Sequence, residues 1–462
     1  MHIALAVKRY SHLVLLGILA TLPISSEAQA EESNADTTSA GVDDPFGGED
    51  PFALIENRQE ATAPESAMPQ NGGRKSQKRV ELFLKGFYSS INNASRINPD
   101  NRFQHLEPST GMVEARVTYS GYLDQQETLR WLFKGYGAGS SYQGAQTSLQ
   151  GGGDVPIRSK ARIDEIFADW KGDRMFASMG KRRITWGHAQ GFNPVNVVAP
   201  PRDPLNPEYQ TEGQPLIWLS DSGTLGNIDL VLTRNYDENW NADQNRWGLR
   251  WGGSSQKIDY AVYYFDGGAY RDGRAFERMV GGSFTADVIP GMTVYGEAAN
   301  FLKNARNYYS ANFAVRQKGG RYTQGVIGSS LDLGSKSSLF VELLYNSQGY
   351  TQEERRNYLQ AADVRLFNGY DPALAGDFVP LSMNRNYLLA NYKKEFRERY
   401  NFNLSTLKAR DGSSSTRAAV YYALSDYYEL RTSYLYYGGN KDSEFGNNPY
   451  RGLFEIGLKA SF

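Results

Sequence analysis

The chain has 462 residues, no cysteine, 31 tyrosines, 47 glycines and a formal net charge of -1. Without thiols it has no disulfide framework, thiolate nucleophile, iron–sulfur cluster or covalently attached haem. The near-neutral charge supplies no global field for nucleic acid, and a mean hydropathy of -0.56 is too polar for a bundle of apolar spanning helices while suiting strands that are wet on one face only.

Lys8 and Arg9 precede an apolar run over residues 13–22, and Ala28-Gln29-Ala30 offers a small-x-small cleavage site, so residues 1–30 read as a secretory signal peptide. No later stretch reaches the roughly 20 apolar residues of a spanning helix. Residues 31–78 are acidic, then polar, without strand periodicity, and are expected to form a disordered periplasmic leader. This leader repeats Asp44-Pro45-Phe46 as Asp50-Pro51-Phe52, which suits a tether, a docking motif or a plug.

Alternation with period two begins at Arg79 and runs to the end. Val80, Leu82, Leu84 and Tyr88 form one face against Glu81, Phe83 and Lys85, as expected of a strand between apolar and wet surroundings. Similar stretches follow at 112–123, 127–137, 162–170, 174–186, 213–219, 227–234, 245–251, 257–265, 276–288, 292–301, 321–333, 337–345, 383–394, 399–408, 414–424, 427–437 and 451–462. They make about 18 strands in residues 79–462. Aromatic pairs at strand ends (Tyr263-Tyr264, Tyr421-Tyr422, Tyr427-Tyr428, Tyr436-Tyr437) suit an interfacial girdle.

The connections sort into two sets. Those at 124–126, 171–173, 220–226, 252–256, 289–291, 334–336, 395–398 and 425–426 are short. The alternate set (91–110, 138–161, 187–212, 302–320, 346–382, 438–450) is long, apart from 409–413. The last strand puts Phe454, Ile456, Leu458, Ala460 and Phe462 on one face and Glu455, Gly457, Lys459 and Ser461 on the other. The expected fold is all-β, a transmembrane antiparallel barrel whose closure pairs every backbone polar group.

The third long loop is the candidate functional segment. Five prolines lie between Gly187 and Glu212, which makes it stiff and unable to join a ladder. Its apolar Phe192, Val195, Val197 and Val198 predict that it folds inward onto the wall. His188, Arg202, Asp203, Glu208 and Glu212 from the loop, with Arg182, Arg183, Arg234, Arg246 and Arg250 from neighbouring strands, are the expected pore constriction. Opposite charges there would create a transverse field that selects solutes.

The leader peptide, the 18 alternating strands, the terminal Phe462 and the proline-rich loop after Gly180-x-x-x-x-x-Trp186-Gly187 together resemble Gram-negative porin-type channels. The strand number and arginine-rich lumen are similar to alginate-export-type and other 18-stranded substrate-selective channels. The resemblance implies an integral outer-membrane location. It implies contact with outer-membrane lipid and lipopolysaccharide, and the barrel assembly machinery would recognise Phe454, Ile456, Leu458 and Phe462. It also implies passive or selective diffusion of small polar, charged solutes, with homo-oligomerisation left open. Two alternatives stand beside this. One is a dedicated exporter of an anionic polysaccharide, drawn by Lys85, Arg116, Arg130, Lys134 and Arg431 among Glu81, Glu114, Glu429 and Glu455. The other is a sealed adhesive barrel that binds a partner through 346–382.

An enzyme is not expected. Only His105 and His188 remain beyond the leader peptide, and neither a Gly-x-Ser-x-Gly elbow nor a His-Glu-x-x-His motif occurs. Asp363 and the segment from Asp371 to Asp377 match no calcium loop, so no catalytic residue, cofactor or metal is assigned, and nucleic acid is not a partner.

Overall fold

The strand pattern read from the sequence closes into one sheet. In the computed structural model, the described residues are 76–462 except 125, 145–155, 200–202, 207–211, 224–225, 237–241, 256, 268–277, 305, 368, 370, 380 and 398. The leader peptide, nearly all of the expected leader with its Asp-Pro-Phe repeats, and Arg202 and Glu208 of the third loop lie outside them.

The strands in chain order are β1 (Ser76–Ile91), β2 (Ser109–Tyr122), β3 (Leu129–Ser140), β4 (Lys160–Lys171), β5 (Met175–Arg182), β6 (Gln214–Gly223) and β7 (Gly226–Tyr236). Next come β8 (Ala242–Ser255), β9 (Ile258–Asp266), β10 (Arg278–Ile289), β11 (Met292–Phe301), the short β12 (Asn307–Tyr309) and β13 (Val315–Gln317), and β14 (Tyr322–Gly334). The last are β15 (Ser337–Asn346), β16 (Asn386–Phe396), β17 (Tyr400–Ala409), β18 (Ser414–Ala423), β19 (Tyr428–Gly438) and β20 (Tyr450–Ser461). All but β12 and β13 form one 18-stranded antiparallel sheet, in which each strand pairs with its sequence neighbours and β1 pairs with both β2 and β20. The seam is closed by Phe462 and Val80, which exchange both backbone hydrogen bonds at 2.9 Å. A closed sheet has no edge, so every ladder is satisfied internally.

Side-chain parity sets inside from outside. On β1, Leu82, Leu84 and Tyr88 are exposed while Phe83, Lys85 and Phe87 are buried. On β20, Phe454 is exposed and Glu455 buried, so Phe454, Ile456, Leu458 and Phe462 share the outward face. Parity also corrects the pairs that lie within a strand: Tyr263 and Tyr421 are buried inside, whereas Tyr427, just before β19, and Tyr428 are both exposed.

Three expectations of extent need correction. Ser76, Gln77 and Lys78, assigned to the leader, begin β1 and pair with Gly121, Ser120 and Tyr119. The strand expected over 174–186 stops at Arg182, because the Arg183 amide is taken by the Glu165 side chain (3.0 Å) and the Trp186 amide by Asn196 Oδ1 (3.2 Å). The segments read as plain loops carry structure: β12 and β13 pair with each other, and 346–382 contains α1 (Gln352–Phe367) and α2 (Pro372–Gly376). Thr351 and Glu354 form a reciprocal capping box at the start of α1, with bonds of 2.8 and 3.2 Å. Tyr358, Leu359, Ala362 and Leu366 of α1 pack with Tyr308, Tyr309, Tyr350, Phe378 and Met383 into a cluster at the long-loop end. Asp377 there accepts from Tyr309 and Asn307, and Asp363 pairs with Arg96. These carboxylates stitch loops together.

Candidate functional site: the third loop and the charged wall

The third long loop, residues 183–213, leaves β5 and returns to β6. Its far hydrogen bonds are to β15, eight strands round the eighteen-strand wall from β5 in the pairing order, so the loop crosses the bore. Five consecutive backbone amides are held by two wall carboxylates. Glu297 on β11 accepts from His188 (2.5 Å) and Ala189 (2.7 Å). Glu342 on β15 accepts from Gln190 (2.7 Å), Gly191 (3.1 Å) and Phe192 (2.8 Å), and the Tyr295 hydroxyl donates to it at 2.9 Å. A run of successive amides forms a concavity suited to an anion, here filled by the protein's own side chains.

Glycine fits closely at two positions of this segment. Gly187 has φ +88°, and a Cβ there would collide with the Glu297 carboxylate and Val195; a Cβ on Gly191 would collide with Leu389. Val195, Val197 and Val198 pack with Trp186, Tyr263, Phe265, Met279 and Phe301 on one side, and Ala189, Phe192 and Leu205 pack with Phe340, Leu389 and Leu407 on the other. The expectation of an inward, wall-packed loop therefore describes the structure.

The expected constriction residues divide. Arg182 is buried against Asp169 and Ser178 (2.9 Å), with its guanidinium over Phe167 (4.5 Å) and Trp218 (5.2 Å), so it is a wall ion pair. Arg183 donates to Glu165 (2.6 Å), which Lys134 also approaches at 3.2 Å. Arg250 pairs with Asp229 (2.7 Å) and stands opposite Tyr263 in the ladder. The Tyr263 hydroxyl meets Ser283 Oγ at 2.8 Å, and Ser283 meets His188 Nδ1 at 2.9 Å; Arg250 and His188 are thus brought together. Arg246 is buried and faces inward on β8. Asp203 accepts from the Leu205 amide (2.9 Å), shaping the loop, and Glu212 pairs with Lys181 at its return. Arg234 is a correction: it shares the face of the exposed Ile228 and Leu232 on β7 and points out of the barrel.

Ser283 meets His188 through Nδ1, the nitrogen on which the orienting carboxylate of a hydrolytic triad sits. Glu297 takes the His188 backbone amide instead.

The other wall carries a centre that the sequence only partly disclosed. Phe83 lies beneath four cations: Arg116 (4.8 Å), Lys85 (5.3 Å), Arg431 (5.4 Å) and Lys459 (5.8 Å). Glu114 accepts from Arg116 (2.5 Å) and Lys85 (3.1 Å), and Glu81 from Lys459 (2.7 Å). The signs alternate, but the depths differ. The Arg116 side chain is 32% exposed against 2% for Glu114, and Lys134 is 27% exposed against 2% for Glu165. In these two pairs the cation is the more exposed partner, whereas Lys459 and Glu81 are exposed alike, at 15% and 17%. Inward parity exposed the charges to sequence reading; the shared ring did not show, because it joins β1, β2, β19 and β20 across the closure. Glu297 and Glu342 were missed too, though each is a lone inward acid on its strand.

No protein-family model matches the chain, and no curated protein does. Solved structures similar to it are Acinetobacter baumannii OccAB1, at a TM-score of 0.49 and 13% identity over 83% of this chain and 96% of that one, and Acinetobacter baumannii OccAB2, at 0.47 and 12% over 84% and 98%. A triple mutant of Rh. blastica porin is similar at 0.42 and 8% over 84% and 100%. At these values no residue role passes from them to this chain.

Proposed function

We propose that this barrel spans the outer membrane, with the long loops outside and the short turns in the periplasm, and acts as a diffusion channel for small hydrophilic solutes that favours anions. The reading takes residues 1–30 as the export signal, the segment before β1 as periplasmic, and Phe454, Ile456, Leu458 and Phe462 as the face offered during barrel assembly. Support for the membrane comes from the edge-free sheet with its apolar exterior, the one strand arrangement that leaves no backbone group unpaired in lipid.

The observation that carries the anion preference is the difference in exposure along β2–β4: part-exposed Arg116 and Lys134 beside buried Glu114 and Glu165. A solute in the bore meets cations first, and low-dielectric walls strengthen their field. The third loop, held across the bore, sets the narrowest passage. The test is the reversal potential of single channels in a salt gradient. An anion-selective potential that moves towards zero in Arg116→Gln with Lys134→Gln supports the reading; cation selectivity in the parent protein opposes it. Block by an anionic oligosaccharide, with a neutral one inert, would favour the polysaccharide exporter instead.

A further inference from the structure

At the long-loop end the bore is packed with apolar side chains over part of its circumference. The inward Phe87, Met112 and Leu453 of β1, β2 and β20 share one buried cluster with Leu106, Phe192 and Phe445, which come from three different loops. Phe445 belongs to the last long connection, 439–449, and its ring lies 6.3 Å from that of Tyr437 on β19. Residues 443–449 are all buried, although connecting segments ordinarily run over a protein's surface. The segment is thus seated in the mouth and does not stand above it.

Polar bonds hold it there from two sides. On one side Asn92 Nδ2 donates to the Gly446 and Asn448 carbonyls at 2.9 and 2.8 Å, and Ser95 Oγ to the Asn447 carbonyl at 2.6 Å. On the other, Glu444 accepts from the Leu381 amide (2.8 Å), Asn384 Nδ2 (2.8 Å) and the Tyr387 hydroxyl (2.7 Å), and its own amide donates to Asp411 at 2.8 Å. The charged groups on this side are Asp411, Arg355 of α1, 3.7 Å from Asp411, and Arg306 from the loop before β12, which donates to the Ser382 carbonyl. On the first-loop side Arg96 pairs with Asp442 and Asp363. Among the described residues no cation pairs with the Glu444 carboxylate itself. At the start of the segment Gly438 and Gly439 can absorb a change of backbone direction, since glycine is free to take φ values such as the +153° of Gly439.

We propose that residues 439–449 are a lid on the bore, and that the lid leaves its seat when Glu444 gives up its proton to water. The inference rests on the channel reading above. Seated and protonated, Glu444 is a neutral hydrogen-bonding group in an apolar surround. Seated and ionised, it is a buried anion without a cation, which hydration relieves once the lid lifts. Burial pushes its carboxyl up to about 7 in the seat, and a lifted, solvated Glu444 returns to the ordinary range. Closure is therefore strongest in acid and weakens as the pH rises towards 7, by roughly two orders of magnitude in the closed-to-open ratio. Lifting also withdraws Phe445 from the mouth.

The test records single channels of the full chain in planar bilayers at about pH 5 and about pH 8. The parent should show an open probability about tenfold or more higher at the upper pH. Glu444→Gln, which keeps the shape of the acid and cannot ionise, should hold the low-pH value at both. Phe445→Ala, which takes the stopper out of the mouth, and Asn92→Ala, which removes two bonds without touching the acid, should each raise the open probability in acid. A parent that gates alike at both pH values overturns the proposal. So does a Glu444→Gln protein with the parent's pH profile, which places the titrating group elsewhere, and so do Phe445→Ala and Asn92→Ala proteins that gate like the parent. A parent and a Phe445→Ala protein that both insert yet pass no current at either pH sink the channel reading itself.

Discussion

The Glu342 carboxylate accepts the Phe192 backbone amide at 2.8 Å, a contact between residues 150 apart in sequence. With the Gln190 and Gly191 amides and the Tyr295 hydroxyl on the same group, it fixes the loop to the far wall. Hydrogen bonds to a charged group contribute about 1.5–3 kcal/mol each. In Glu342→Gln one carboxylate oxygen becomes an NH₂ that faces backbone N–H groups, so the loop should loosen while the barrel remains folded. Single-channel recording should show larger or noisier conductance than the parent. Unchanged current would mean that the packing of Val195 and Phe192 holds the loop unaided.

Gly191 tests the same seat sterically. Gly191→Ala places a methyl against Leu389, and overpacking of a close-packed site costs about 1–3 kcal/mol. The expected result is a lower unfolding temperature together with altered conductance. A variant identical to the parent in both would contradict the close approach of loop and wall.

Arg182 and Asp169 form a buried ion pair in the wall. Removing one partner strands the other charge, at a cost of about 3–5 kcal/mol, whereas replacing both with apolar groups can be close to neutral. Thermal unfolding of Asp169→Asn should therefore show strong destabilisation, with much of it recovered in Asp169→Leu with Arg182→Met. No recovery in the double variant would mean that the stacking of Arg182 on Phe167 and Trp218, rather than charge pairing, dominates there.

How much of this was legible in the sequence depends on the range of the interaction. Period-two alternation is local, so the strands, their number and the inward fate of Val195 and Val198 could be read directly. The α1 helix was missed although Thr351-x-x-Glu354 is a capping-box signal, because the surrounding pattern was read only for strand period. The partners Glu297 and Glu342 and the shared ring of Phe83 depend on which strands the closure brings together, and no short-range pattern encodes that. Arg234 was misplaced for a simpler reason: its parity with Ile228 and Leu232 was available and was overridden by its charge.

Glu444, in the 439–449 loop, gives a pH prediction. Burial pushes its carboxyl up to about 7, against hydrogen bonds from Tyr387 and Asn384, with Asp411 nearby adding to the rise. Arg355 and Arg306 are the cations of the same cluster; Arg355 lies 3.7 Å from Asp411, and Arg306 donates to the Ser382 carbonyl at 2.5 Å. Because the folded value exceeds the ordinary 4.5, the folded protein keeps this proton where the unfolded chain has lost it. The stabilisation is full below about pH 4.5, falls as the pH rises to about 7 and is absent above. Hydrogen exchange at residues 443–448, corrected for intrinsic rates, should lose protection over that window in the parent and stay flat in Glu444→Gln. An identical slope in both proteins would place the titrating group elsewhere.

The most direct measurement is planar-bilayer conductance of the folded full chain beside a variant in which residues 191–209 are replaced by a short Gly-Ser linker. A water-filled bore narrowed by the third loop predicts discrete steps in the parent and larger steps in the variant. Two inserted, folded barrels that pass no current, before and after removal of the loop, would contradict the channel.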